Sequence, residues 1–330
     1  LRSPRRLGSR RNDWESSMNL KMGKATREAF GHALEALGGE HADVVVVDGD
    51  VHNSTYTEFF GKEYPDRFFN VGIAESDMVG IAAGLASAGK RAWVSSFACF
   101  VMCNAYDQLR MSVAFPCLDV KVVGTHAGIS IGEDGPSQMG IEDVSLACSL
   151  PNFTVIVPCD EVSMTKAVQA VARTKSPTYL RAGRPKVPVV YPDGCDFRVG
   201  KAIKLRDGKD LTIIANGLMV SAALEAAEQL APKGVQARVL DMHTVKPCDD
   251  AAVLAAAKET GRIVVAEEHL LHGGLGSVVA MSAARQHPVP MRFVGLKDTF
   301  AESGPPEALL AKYGLTAGDI VRESLALVGK

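Results

Sequence analysis

Short apolar runs of strand length alternate along this chain with longer segments of helical period, and no other feature restricts the fold as much. The run "DVVVVDGD" at residues 43–50 places four valines in succession. A strand with one wet face would alternate polar and apolar residues, so four in a row predict burial on both faces, as in a parallel sheet covered by helices. The helix predicted ahead of it, "TREAFGHALEALGG", ends at Gly38-Gly39, where a helix can terminate. Strands are then expected at "RAWVSSF", "VKVVGTH", "FTVIVP" and "PTYLRAG". The intervening helices are "CNAYDQLRMSVAF", "EDVSLACSL" and "DEVSMTKAVQAVARTK". The alternation predicts an α/β fold with helices on both faces of a parallel sheet.

At 330 residues the chain is about twice a common domain length, which favours two domains. Pro185, Pro188, Pro192 and an Asp193-Gly194 turn mark a linker. Beyond it a second, smaller alternation runs from "DLTIIANG" through "QARVLDMH" and "RIVVAEE" to "PMRFVGL". The expected division is an extension over 1–21, a first domain over 22–187, a linker over 188–198 and a second domain over 199–330. The basic, Arg- and Ser-rich start lacks a signal-peptide core, so an extension ahead of an internal start at Met18 or Met22 is preferred to a transit peptide.

A net charge of −2 with 22% charged residues gives no reason to expect nucleic acid or an acidic membrane as partner. No run of about 20 apolar residues could span a bilayer. The seven cysteines, an odd number without a C-x-x-C pair, are read as buried free thiols of a reducing, cytoplasmic compartment.

Ligands in open parallel sheets bind beyond the carboxyl ends of the strands, where this chain places several polar groups. Glu75 sits where an apolar strand hands over to an apolar helix. One reading is a carboxylate stabilising a helix N-terminus. The other is a carboxyl group packed by Ile73, Ala74, Met78 and Val79, driven towards its protonated form and able to donate a proton. Phe97, Phe100 and Tyr106 are either core aromatics or a stacking platform for a flat heterocycle. The loop "GTHAGISIGEDGPSQMGIED" follows a strand and is glycine-rich, as loops that line sites often are. "DGD" at 48–50 lacks the acid spacing of a calcium loop. His269 and His272 precede a glycine-rich helix start that could hold an anion, although tight packing is the simpler reading.

In order, residues 47–55, "PDRFFNVGIAESDMVGIAAGLA", "FACFVMCNAYDQLRMS", "THAGISIGEDGPSQMGIED" and "LRAGRP" closely resemble the C-terminal half of transketolase, from about Met22 to the end. The resemblance implies a thiamine-diphosphate enzyme that moves a two-carbon ketol unit between sugar phosphates. It implies a pyrimidine-binding domain followed by a smaller α/β transketolase C-terminal domain. By the same resemblance Glu75 is the catalytic acid at N1′ of the aminopyrimidine, Phe100 stacks on that ring, and Phe97 and Tyr106 support it. His126 is carried over as a catalytic residue that, with Asp134, contacts sugar hydroxyls, while Arg27, Ser54 and Arg184 match residues that hold the substrate phosphate. Gln138 stands where many relatives have histidine, and a neutral amide can bind a hydroxyl without moving protons.

The family's Mg2+ motif belongs to an N-terminal domain, and "DGD" is not that motif. No metal ligand is therefore expected here. The resemblance implies a split transketolase whose partner chain carries the diphosphate and Mg2+ site, in an α2β2 assembly. Alternatives are the β subunit of a 2-oxoacid dehydrogenase, a 1-deoxyxylulose-phosphate synthase fragment and a non-catalytic relative.

Overall fold

The structure is a computed structural model that describes residues 20–330, so the expected extension falls outside it but for its last two residues. In chain order the strands are β1 (Met22–Ala25), β2 (Val44–Asp48), β3 (Phe68–Asn70), β4 (Arg91–Phe97), β5 (Val120–Thr125), β6 (Thr154–Ile156), β7 (Thr178–Arg181), β8 (Lys186–Pro188), β9 (Ile203–Arg206), β10 (Leu211–Ala215), β11 (Ala237–Asp241), β12 (Thr244–Lys246), β13 (Ile263–Leu270) and β14 (Met291–Leu296). A seven-stranded sheet has the order β12-β6-β7-β5-β4-β2-β3 and is parallel except for β12. A five-stranded sheet, β14-β13-β10-β11-β9, is parallel except for β9. The fold is α/β in two domains, as predicted.

The valine run shows why both faces are covered. Successive side chains on a strand point to opposite faces. Val45 and Val47 pack with Met78, Val79 and Ala82 of the Glu75–Ser87 helix, whereas Val44 and Val46 pack with Phe30, Leu34 and Val168 from helices on the other side. Each is at most 4% exposed, and burying a side chain of this size contributes roughly 1.5–3 kcal/mol.

The two halves are joined more closely than the sequence indicates. Three residues of the second half, β12, close the edge of the first sheet by pairing antiparallel with β6. Lys246 Nζ donates to the carbonyls of Cys148 and Leu150, which would otherwise be orphaned at the end of the Asp143–Ser149 helix. Ile214, Leu240, Val253 and Ile263 of the second half share one apolar core with the first. The linker is stitched to both: the Val190 and Tyr191 N–H groups donate to Asp160 Oδ2, and the Tyr191 hydroxyl donates to Asp241 Oδ2 at 2.7 Å.

Some expectations need correction. The helix predicted over 103–115 is broken: a helix ends at Cys103, and a π-helical stretch follows at Leu109–Ala114. All seven cysteines are free, yet Cys103, the last residue of its helix, and Cys117, at the end of a turn, are exposed. No helix among the described residues is long and apolar enough to cross a membrane.

Candidate active site

Glu75 is the first residue of the Glu75–Ser87 helix, at the carboxyl edge of the large sheet, and is 5% exposed. Ser96, near the end of β4, donates its hydroxyl to Glu75 Oε1 at 2.9 Å. Oε2 has no hydrogen-bond partner among the described residues. Gly49 lies over the pair, since a side-chain carbon there would sit 3.7 Å from both Glu75 Oε1 and Ser96 Oγ. The cover differs from expectation in one respect: Ile73 is 83% exposed. It belongs to the loop before the helix and points outward, so Glu75 is shielded from the sheet side by Ser96 and Met78.

Beside this carboxylate, Phe97 and Phe100 stack with ring centres 5.6 Å apart and planes 7° from parallel. His126 lies on Phe97, with 3.8 Å between ring centres. Phe100 is only half-buried, which leaves ring surface available. The stack comprises Phe97, Phe100 and His126; the Tyr106 hydroxyl donates to the Leu146 carbonyl at 3.2 Å. A buried carboxylate with a partnerless oxygen, tied to Ser96, and a half-buried ring stacked on the neighbouring Phe97 suit a flat heterocycle with a polar edge.

His126 closes β5 in the left-handed region, at φ 56°, a conformation that costs a non-glycine residue roughly 1–3 kcal/mol. Arg27 donates to its Nε2 at 3.0 Å, which makes Nε2 the unprotonated nitrogen. Nδ1–H then donates to Thr125 Oγ1 at 2.9 Å, and that hydroxyl donates on to the Ser96 carbonyl. Burial, reinforced by the charges of Arg27 and Arg184, pushes the imidazole down to about 3. At neutral pH the ring is uncharged.

The structure gathers the residues expected to hold an anion around this histidine. Arg27 also donates to the Ser54 carbonyl at 2.7 Å, and its guanidinium lies 5.2 Å from the centre of the Tyr56 ring. Arg184 pairs with Glu133 at 3.2 Å and is 3.9 Å from Asp134, both on the loop after His126. Burial lowers Arg27, and the nearby Arg184 charge adds to that, so an incoming dianion would relieve repulsion between the two cations. Gln138 stands apart. Its Oε1 accepts from Ser137 Oγ, and no bond among the described residues joins it to His126 or Asp134.

The sequence did not show how buried polar groups hold these residues in place. Asp48, fully buried, accepts from the Val51 N–H and from the hydroxyls of Thr55 and Thr57, which shapes the turn presenting Ser54. Burial raises its carboxyl in spite of these bonds. That structural duty replaces the weak metal reading of "DGD", and no cluster of three or more His, Cys, Asp or Glu among the described residues could hold a metal ion. Asp143 and Arg181 form a buried ion pair at 2.8 Å; burial would raise the Asp143 carboxyl, but Arg181 outweighs it and the group ends below its ordinary value. The anion reading of the glycine-rich helix is also corrected, because Glu267 already accepts from the Leu275 and Gly276 N–H groups there, at 2.7 Å each.

Fold and site together define a two-domain α/β protein whose candidate site lies at the carboxyl edge of its larger sheet. Residues 22–189 match the transketolase pyrimidine binding domain and residues 200–320 the transketolase C-terminal domain. The chain belongs to the transketolase family. It is 39% identical over 307 residues to one of the subunits of the apulose-4-phosphate transketolase of Phocaeicola vulgatus, covering 93% of this chain and 98% of that one. It is 41% identical over 301 residues to mouse transketolase-like protein 2, covering 90% of this chain and spanning 48% of that protein's length. A solved structure described as a split gene transketolase, inactive beta4 tetramer, superposes with a TM-score of 0.88 at 44% identity, covering 93% of this chain and 99% of that one. These matches favour transketolase over the 2-oxoacid dehydrogenase alternative.

Proposed function

We propose that this chain is the C-terminal subunit of a split transketolase and transfers a two-carbon ketol unit between sugar phosphates only when an N-terminal partner subunit completes the site. The carrying observation is Glu75, buried, with one carboxylate oxygen held by Ser96, the chain neighbour of Phe97, and the other without a partner among the described residues. In this reading Glu75 bonds the edge of the aminopyrimidine of thiamine diphosphate, and Phe100, backed by Phe97, supports its face. Thiamine diphosphate, when bound, supplies the electron sink that allows the ketose carbon–carbon bond to break. The described residues do not fit Mg2+. The diphosphate and its metal are therefore assigned to the partner chain, in an α2β2 enzyme of the cytoplasm.

The geometry supports the remaining roles in this reading. Arg27 and Arg184 take the substrate phosphate, with Ser54 at the same turn. Neutral His126 has its Nε2 lone pair taken by Arg27 and its Nδ1–H by Thr125, so it accepts from a sugar hydroxyl only once Arg27 turns to the substrate phosphate. Asp134, at the loop's exposed end, is placed to accept from a sugar hydroxyl, and Gln138 takes a minor part. The similar solved structure described as an inactive beta4 tetramer supports the need for a partner. Apulose 4-phosphate in the name of one relative leaves the sugar to experiment, so the proposal specifies a ketose phosphate as donor.

The test is reconstitution. The chain mixed with a partner carrying a thiamine-diphosphate domain should transfer ketol units from xylulose 5-phosphate to an aldose phosphate, and each chain alone should not. Glu75→Gln, which preserves shape and removes the acid, should abolish transfer. Transfer surviving in that variant would remove Glu75 from its assigned role.

A further inference from the structure

The loop that carries the substrate-side residues is buried in the second domain. Ile129 and Ile131, between His126 and Asp134, are 0% exposed and belong to a core built mainly from β10, β11, β13, β14, the Met219–Leu230 helix and the C-terminal helices. Pro306 lies against Gly132, and the Ile141 carbonyl accepts from the Leu270 N–H at 3.0 Å. At the centre of this contact, Glu268 of β13 reaches across and accepts from the Ser130 N–H through Oε1 at 2.7 Å. Its carboxyl group lies directly on Gly128, which has a φ of 83°, so any side chain at 128 would overlap it.

We propose that Glu268 is a positioning residue for the substrate side of the site, holding the 128–134 loop so that His126 and Asp134 face the ligand. The inference rests on the transketolase reading given above, and it gives the second domain a specific duty. The carboxylate acts through Ser130 and Gly128 and touches no reacting atom. A charged acceptor is stronger than a neutral one, and a fully buried carboxylate has no water to turn to. The energetic burden is visible: burial pushes Glu268 up to about 7, Arg181 pulls it back, and Asp143 adds to the rise.

Amide hydrogen exchange of residues 127–135 in the chain alone tests this independently of catalysis. At pH 8.5, where the Glu268 carboxyl is ionised, Glu268→Gln keeps the volume and removes the charge, and its Ser130 amide should exchange about tenfold faster or more. Exchange in β2 and β4 should stay unchanged, with far-UV circular dichroism confirming the fold. Gly128→Ala should give the same pattern by displacing the carboxyl group from the other side. In the reconstituted enzyme, Glu268→Gln should raise KM for the ketose phosphate severalfold and leave thiamine diphosphate affinity as it was. Unchanged loop exchange in both variants would overturn the proposal, as would a loss confined to thiamine diphosphate binding. Absence of ketol transfer in the wild-type mixture would instead count against the transketolase reading, and the exchange data would still decide whether Glu268 holds the loop.

Discussion

His126 offers the sharpest test, because its environment makes a quantitative demand. An ordinary imidazole titrates near 6.5, and here burial, Arg27 and Arg184 push it to about 3. At 1.36 kcal/mol for each pKa unit, that gap opposes protonation by roughly 5 kcal/mol. At pH 7 an unperturbed histidine would be about one-quarter charged, whereas His126 should be charged in about one molecule in ten thousand. The informative substitution is Arg27→Met, which keeps an apolar stem and removes a donor 3.0 Å from Nε2. The titration should then move upward yet stay below 6.5, since burial, the largest cause, remains. Nitrogen-detected NMR of the eight histidines would follow it, with His126→Asn assigning the signal. The wild type should show Nδ1–H with bare Nε2 throughout neutral pH. A wild-type titration near 6.5, or a proton on Nε2, would be incompatible with this account of the pocket. The linkage has a definite sign. Below 6.5 the unfolded chain takes up a proton that the folded one refuses until about 3, so this group destabilises the fold as pH falls across that window.

Two further substitutions follow from the site. Ser96→Ala removes the hydroxyl that orients Glu75; at about 1.5–3 kcal/mol for a bond to a charged group, ketol transfer should drop roughly 10- to 100-fold in a chain that still folds, and a change within twofold would mean Ser96 only fills space. Asp143→Ala strands Arg181 and the Tyr179 hydroxyl in the interior and should cost about 3–5 kcal/mol in urea unfolding at pH 7, with Asp143→Leu plus Arg181→Met costing much less; equal losses would show that burial of an unpaired charge is not the cause.

Much of the candidate site was legible because its chemistry is local. Glu75 at a strand-to-helix junction, the closely spaced Phe97 and Phe100, and a glycine-rich loop after β5 are all short-range signals, and the strand-edge rule places them together. Ser96 and Asp48 lie at strand ends where the same rule expects polar groups, but nothing local gave their partners. Each looks like an ordinary polar residue in a strand or turn until a partner 21 or seven residues away is brought against it. Spacing put Tyr106 near the ring stack, whereas the hydrogen bond its hydroxyl makes goes to the Leu146 carbonyl, a partner 40 residues away.

The two α/β alternations could be read from residue order alone, because hydrophobic period is a property of consecutive residues and four valines in a row leave a strand no polar face. How the halves interlock could not: β12 crossing to the first sheet, Tyr191 tied to Asp241, and Glu268 set against Gly128 emerge on folding. Those contacts join residues far apart in the chain, through single buried polar groups whose partners exist only once the backbone has brought them together.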